Sequence, residues 1–167
     1  MDFVLKQLQK NKDVFHDLLK DIDEPMLFWK QSPDKWCLLE IVCHLYDEER
    51  EDFRFRTQWV LENPNKIPPP FNPVVWVSER KYIEQHYNEM LNNFLEERAK
   101  SIAWLKTLKA PNWEHSFEHP KLGTLTAKHF YNNWLAHDYL HLRQIIKLKF
   151  DYLKHVSGED LSYAGAW

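Results

Sequence analysis

Between Gly123 and Phe150, apolar side chains return at steps of three and four residues: Ala127, Phe130, Trp134, Ile145 and Leu148, with His137 and His141 on the same line. Positions so spaced share one face only on a helix, and so broad an apolar seam needs other helices to cover it. Three further segments carry the same rhythm. Val4, Leu8, Phe15, Leu18, Leu19 and Ile22 predict a helix from about Phe3 to Ile22, ended by Asp23-Glu24-Pro25. A link over 25–36 follows, with a Ser32-Pro33-Asp34 turn before Trp36. A second helix is predicted from Leu38 to Glu62, before Asn63-Pro64-Asn65. A third opens at Ser78, read as its cap, and continues through Ile83, Met90, Phe94, Ile102 and Leu105 toward Leu108, with Pro111 beyond. The last starts at Gly123-Thr124 and reaches about Phe150.

Two stretches must connect these helices at length. Pro64, Pro68, Pro69, Pro70 and Pro73 make the first an irregular crossover, and residues 111–123 form the second. The expectation is an all-α four-helix bundle with long crossover connections, other than the up-down-up-down kind, as a single domain over residues 1–167. Three glycines suit this better than a turn-rich β protein, and eight tryptophans supply large packing units between long helices.

The two seam histidines are the strongest chemical signal. Four helical residues turn about 400°, so His137 and His141 leave the helix roughly 40° apart and within about 6 Å, close enough to share one metal ion. Both face the expected interior, where an unpaired polar group costs on the order of 1–3 kcal/mol, so each imidazole needs a partner or a metal. On the second helix, Leu38, Ile41, Leu45, Phe55 and Trp59 define the side read as buried, with His44 at its edge. Periodicity leaves His44 open between a third ligand and a boundary histidine paired with a solvated Glu48.

The run Trp36-Cys37-Leu38-Leu39-Glu40-Ile41-Val42-Cys43-His44-Leu45, followed by His137-Asp138-x-x-His141-Leu142-x-Gln144-Ile145, resembles the DinB/YfiT-like superfamily of small metal-binding four-helix bundles. The likeness covers nearly the whole chain, including the Leu122-Gly123-Thr124 turn and the closing Leu161-Ser162-Tyr163-Ala164-Gly165-Ala166-Trp167. It implies that His44, His137 and His141 hold a divalent metal, zinc or nickel, in a partly open coordination sphere. The chain departs from the family pattern at Cys37, where serine is common, and cysteine is the poorer helix cap. Glu48 and Gln144, four residues after His44 and three after His141, are candidates to orient an imidazole or a bound water, against the alternative of solvated helix edges.

Such a centre can lower the pKa of a bound water to about 7 or activate a thiolate. Relatives that use low-molecular-weight thiols make a thiol-dependent S-transferase acting on a small-molecule substrate the leading expectation. The alternatives are a hydrolase using metal-bound hydroxide, with Glu48 as base, and a non-catalytic helical scaffold that dimerises through its aromatic surface. A homodimer is the family habit.

Other signals exclude or are secondary. A formal charge of −3, with Lys and Arg interspersed among acids, offers no basic field for nucleic acid. Cys37 and Cys43, six positions apart, suit reduced thiols, and no leader or apolar run of 18 residues is visible, so a cytoplasmic protein without membrane contact is expected. His115 and His119 are also four apart, but between prolines that deny them a helix; the mouth of the site and a surface loop remain open for them. His129 is read as a rim residue, His16, His86 and His155 as surface or boundary residues, and Asp138 as contacting a neighbouring helix or a dimer partner. No Gly-rich phosphate loop, Gly-x-Ser-x-Gly elbow or His-Glu-x-x-His sequence occurs.

Overall fold

A computed structural model describes residues 3–165; Met1, Asp2, Ala166 and Trp167, the last two part of the closing motif, lie outside the described residues. Among the described residues the regular elements are helical apart from one short hairpin: α1 (Phe3–Leu19), α2 (Glu24–Leu27), α3 (Leu38–Asp47), a π-helical turn (Glu48–Phe53), α4 (Arg54–Glu62), α5 (Pro73–Glu79), a 3₁₀ turn (Tyr82–Glu84), α6 (Tyr87–Thr107), β1 (Ser116–His119), β2 (Gly123–Thr126), α7 (Ala127–Ser157) and a closing 3₁₀ turn (Ser162–Ala164). Helix α3, the π turn and α4 run on without a break, so the expected second helix over Leu38–Glu62 is one rod of mixed winding.

Four rods make the bundle, and their neighbours explain the long connections. Helix α6 packs against α1 and α3, and α7 packs against α1 and α4. Consecutive rods α1 and α3–α4 therefore lie across a diagonal, and so do α6 and α7, an arrangement that short hairpin loops cannot make. One core cluster gathers Phe15, Leu19, Leu38, Ile41, Leu45, Phe94 and Ile145. A second holds Leu8, Phe53, Ile102, Tyr131 and Trp134.

Several expected boundaries move. Helix α1 stops at Leu19 because Asp21 turns into left-handed backbone at φ 53°, although Ile22 still packs on the core. Ser78 does not open the third helix: its Oγ donates back to the Val75 carbonyl at 3.0 Å, inside α5, which the fixed φ of Pro73 starts. Lys81 at φ 48° then interrupts the winding, and α6 begins only at Tyr87. The stretch expected to be irregular thus contains a short helix.

The second link folds as a hairpin that periodicity did not signal. Phe117 pairs with Leu125 across β1 and β2, both buried, and Gly123 supplies the positive φ at the register's end. The chain before the hairpin satisfies the first amides of α7, since Ala127 N donates to His115 O at 2.8 Å and Lys128 N to Trp113 O at 3.0 Å. Thr126 caps the helix by accepting from His129 N, and Gly158 in left-handed backbone closes it at Ser157, beyond the expected Phe150. No helix among the described residues is long and apolar enough to cross a membrane.

Candidate metal centre

The rod that carries His44 starts on an unusual cap. Cys37 stands where serine or threonine is preferred, and its backbone N–H donates to Glu40 Oε2 at 2.9 Å while Lys30 pairs with the same carboxylate at 2.7 Å. Seven residues on, His44 is 8 % exposed and faces α7. The π turn follows. Its wider winding reduces the rotation per residue, so apolar positions counted at helical spacing fall out of phase. Phe55, expected on the buried side, lies at the surface, Trp59 is half-buried against the cluster of Val60 and Phe117, and Phe53, Thr57 and Val60 face the core. The same change of winding keeps His44, Glu48, Asp52 and Arg56 along one line of the rod.

His137 and His141 meet His44 across the helix interface. His44 Nε2 lies 3.3 Å from His137 Nε2, and His137 Nε2 lies 3.0 Å from His141 Nε2. One ligand atom from each of the three falls within 4.8 Å of the others. Gln144 Oε1 accepts from His141 Nδ1 at 2.8 Å, which puts that ring's proton on Nδ1 and its lone pair on Nε2, toward the other two imidazoles. The Trp36 ring stacks obliquely 4.8 Å from His44, and Phe53 lies 4.8 Å from His137.

Burial, then the neighbouring His141, hold the His44 imidazole down to about pKa 3. Burial, then His141, His44 and Arg98, hold His137 down to about 2. His141 is lowered by burial too, against the opposing pull of Gln144 and Asp138. All three rings are neutral at pH 7 and present nitrogen lone pairs rather than charges.

These residues fit a divalent metal. Bonds of about 2.0–2.1 Å from imidazole nitrogen to a tetrahedral ion place neighbouring ligand nitrogens about 3.3–3.4 Å apart, near the two separations seen here. Three converging nitrogens cannot satisfy one another with the protons available to neutral rings, and His44 Nδ1 finds no hydrogen-bond partner. Its nearest acid, Glu48 Oε1, stands 3.9 Å away, beyond hydrogen-bonding range.

Glu48 is not a solvated edge. Burial, then the adjacent Asp52, push its carboxyl up to about pKa 9, and burial raises Asp52 as well. Glu48 therefore carries the proton at pH 7 and donates it toward Asp52. Arg56 Nε lies 2.8 Å from Asp52 Oδ1.

Beneath the histidines lies a buried ionic knot. Arg98, 1 % exposed on α6, donates two bonds to Asp138 at 2.7 and 2.6 Å and one to Glu49 at 2.9 Å. Trp134 Nε1 donates to Glu49 at 2.8 Å and Asn11 Nδ2 to Asp138 at 2.9 Å. Of the two destinations open to Asp138, the neighbouring helices receive it. The sequence reading passed over Asp52, Glu49 and Arg98: the acids sit in a run of charges, Glu48-Glu49-Arg50-Glu51-Asp52, that looks solvated, and Arg98 gives no local sign of burial.

The remaining histidines stand elsewhere. His115 Nδ1 donates to the Leu61 carbonyl at 2.9 Å and ties the hairpin to α4. His119 lines a separate cavity between the hairpin and the proline-rich crossover, so neither residue borders the three-histidine cluster. His129, His16, His86 and His155 are exposed.

Comparison with known proteins places this geometry. The sequence profile of the DinB superfamily matches residues 7–145. The fold is similar to that of YfiT from Bacillus subtilis, with a TM-score of 0.76 over 94 % of this chain and 87 % of that one, at 16 % identity. That protein is described as a probable metal-dependent hydrolase with an unusual four-helix bundle topology. No curated protein matches the sequence.

Proposed function

The chain belongs to the DinB superfamily, and from that premise we propose that it is a divalent-metal-dependent hydrolase whose ion is held by His44, His137 and His141. The carrying observation is the convergence of three neutral, buried imidazole nitrogens, His44 Nε2 to His137 Nε2 at 3.3 Å and His137 Nε2 to His141 Nε2 at 3.0 Å. The description of the YfiT structure as a probable metal-dependent hydrolase supports the same reading. A divalent ion with three protein ligands supplies a Lewis acid with at least one open position, able to acidify a water or polarise a carbonyl.

The chain's own side chains do the rest. Gln144 fixes the tautomer and tilt of His141. Trp36 and Phe53 flank the cluster with apolar rings and keep bulk water from it. In the metal-free chain burial and the adjacent Asp52 hold the Glu48 carboxyl up to about pKa 9, so it stands beside His44 as a proton donor rather than the base expected from the sequence. Nickel in place of zinc suits the same three nitrogens.

Thiol transfer is the second reading. Three neutral ligands leave the full charge of the ion uncompensated, which favours an anionic partner such as a thiolate. Cys37 and Cys43 are buried with thiols pushed up, Cys43 to about 12, so the thiol would come from a low-molecular-weight cosubstrate.

Elemental mass spectrometry on untagged protein tests the first step. About one zinc or nickel per chain is expected in the wild type and none in His44→Ala, His137→Ala or His141→Ala. Ester and amide hydrolysis by the loaded protein, unchanged by added thiol, is then expected; dependence on thiol would move the assignment to S-transfer. Failure to bind metal even after reconstitution overturns both and leaves a helical scaffold.

A further inference from the structure

One large cavity stands apart from the histidines and takes no part in holding them. It has a volume of about 570 Å³ and lies between the β1–β2 hairpin and the crossover that follows α4. Its walls are apolar, built chiefly by Phe71, Phe117, Leu125 and Phe130, and its polar groups are few: Asp52, Arg56 and His119. That volume suits one compact organic molecule.

The polar groups have defined capacities. His119 Nδ1 accepts from the backbone amides of Lys121 and Leu122, each at 3.2 Å, so the ring proton resides on Nε2, which can donate. Arg56 lies flat against Phe71, its guanidinium carbon 4.0 Å from the ring centre. Arg56 Nε and Asp52 Oδ1 are in ionic contact, but neither completes an aligned hydrogen bond, and both are shielded from water. The ion pair is internally neutral. A charged ligand would leave one of its members facing an uncompensated charge. The cavity therefore offers an aromatic slot and one N–H donor, with an ion pair, shielded from water, in its wall.

The cavity shares two rods with the candidate metal centre. Asp52 belongs to the line His44, Glu48, Asp52, Arg56. On the opposite wall Phe130 precedes His137 by seven residues, or about 10 Å along α7. A substrate seated in the cavity would have to span about that distance to reach the histidines.

We propose that this cavity binds the recognition portion of the substrate, an uncharged carbonyl compound such as an amide carrying an aromatic or branched apolar group, with its carbonyl accepting from His119 Nε2–H. The placing of a reacting bond at the histidines rests on the hydrolytic reading; the binding does not.

Titration of the metal-free protein with N-benzylacetamide, followed by amide NMR shifts, tests it. Saturable shifts are expected at Phe117, His119, Leu125 and Phe130, with benzylamine and phenylacetate at least tenfold weaker. Leu122, 69 % exposed at the rim, can be enlarged without disturbing the core, so Leu122→Trp should plug the mouth and weaken binding tenfold or more. His119→Asn keeps an acceptor for the two turn amides, loses the Nε2 donor, and should weaken it likewise. Absence of saturation, shifts centred on other residues, or equal affinity in both variants with unchanged melting temperatures overturns the proposal. A protein that binds the amide but never takes up metal refutes the reading of the histidines alone; one that takes up metal and ignores the amide refutes this one alone.

Discussion

Glu48 and the three histidines are pulled in opposite directions by the same burial, and the pH dependence of stability should show both. The Glu48 carboxyl is raised from 4.5 to about 9, so between those values the folded metal-free chain keeps a proton that the unfolded chain has lost. Stability then falls as pH rises, by up to about 1.4 kcal/mol per pH unit for one proton. The imidazoles are lowered from 6.5, to about 3 at His44 and about 2 at His137, so below pH 6.5 the unfolded chain takes up protons that the folded one refuses. Stability is lost as pH drops through that range. Chemical denaturation of the metal-free protein should therefore give a maximum near neutrality with a decline toward pH 9. Glu48→Gln should remove the alkaline decline and leave the acid limb; a decline that survives the substitution would assign it to another group.

At the scale of the element, α7 is the longest rod and depends on its two ends. Thr126 Oγ1 accepts from His129 N at 3.0 Å, and Thr126→Ala should cost about 1 kcal/mol. Gly158 closes the helix at φ 67° with no atom within 4 Å of where a Cβ would stand, so Gly158→Ala should cost about 1 kcal/mol through backbone strain alone. Both losses should appear in urea midpoints while metal content stays at the wild-type value, because His137 and His141 sit ten or more residues from either end. The rod bearing His44 teaches a different lesson. Its span was legible as Leu38–Glu62, but the π turn inside it was not: within that turn Glu49 reaches Arg98 and Trp134 on other helices, and no local spacing reports such partners. Phe55 was misplaced for that reason. The hairpin escaped notice because two strands of four residues carry too short a pattern to register, and packing of Phe117 and Leu125 against α4 and α7 stabilises them.

For the whole molecule, the knot of Arg98 with Asp138 and Glu49 joins all four rods, with Asn11 on α1 completing it. Arg98→Met would leave two buried carboxylates without their cation and should destabilise the chain by about 3–5 kcal/mol in denaturant titrations. Arg98→Lys should recover only part of that, since one ammonium cannot reproduce the forked bonds to Asp138. A loss below about 1 kcal/mol in Arg98→Met would mean that the knot is hydrated or dispensable.

The sequence by itself determined the four rods and the His137–His141 pair, because these rest on near neighbours along one helix, where a spacing of three or four residues is already a geometry. It also carried enough of the DinB pattern to nominate His44. Tertiary structure alone decided that His44 meets the pair, that the rod beneath it widens, that Glu48 shares a proton with Asp52, and that Arg98 lies buried between two acids. Each depends on which helix faces which, and that is settled by the summed packing of residues far apart in the chain, such as Asn11 and Asp138, 127 positions apart.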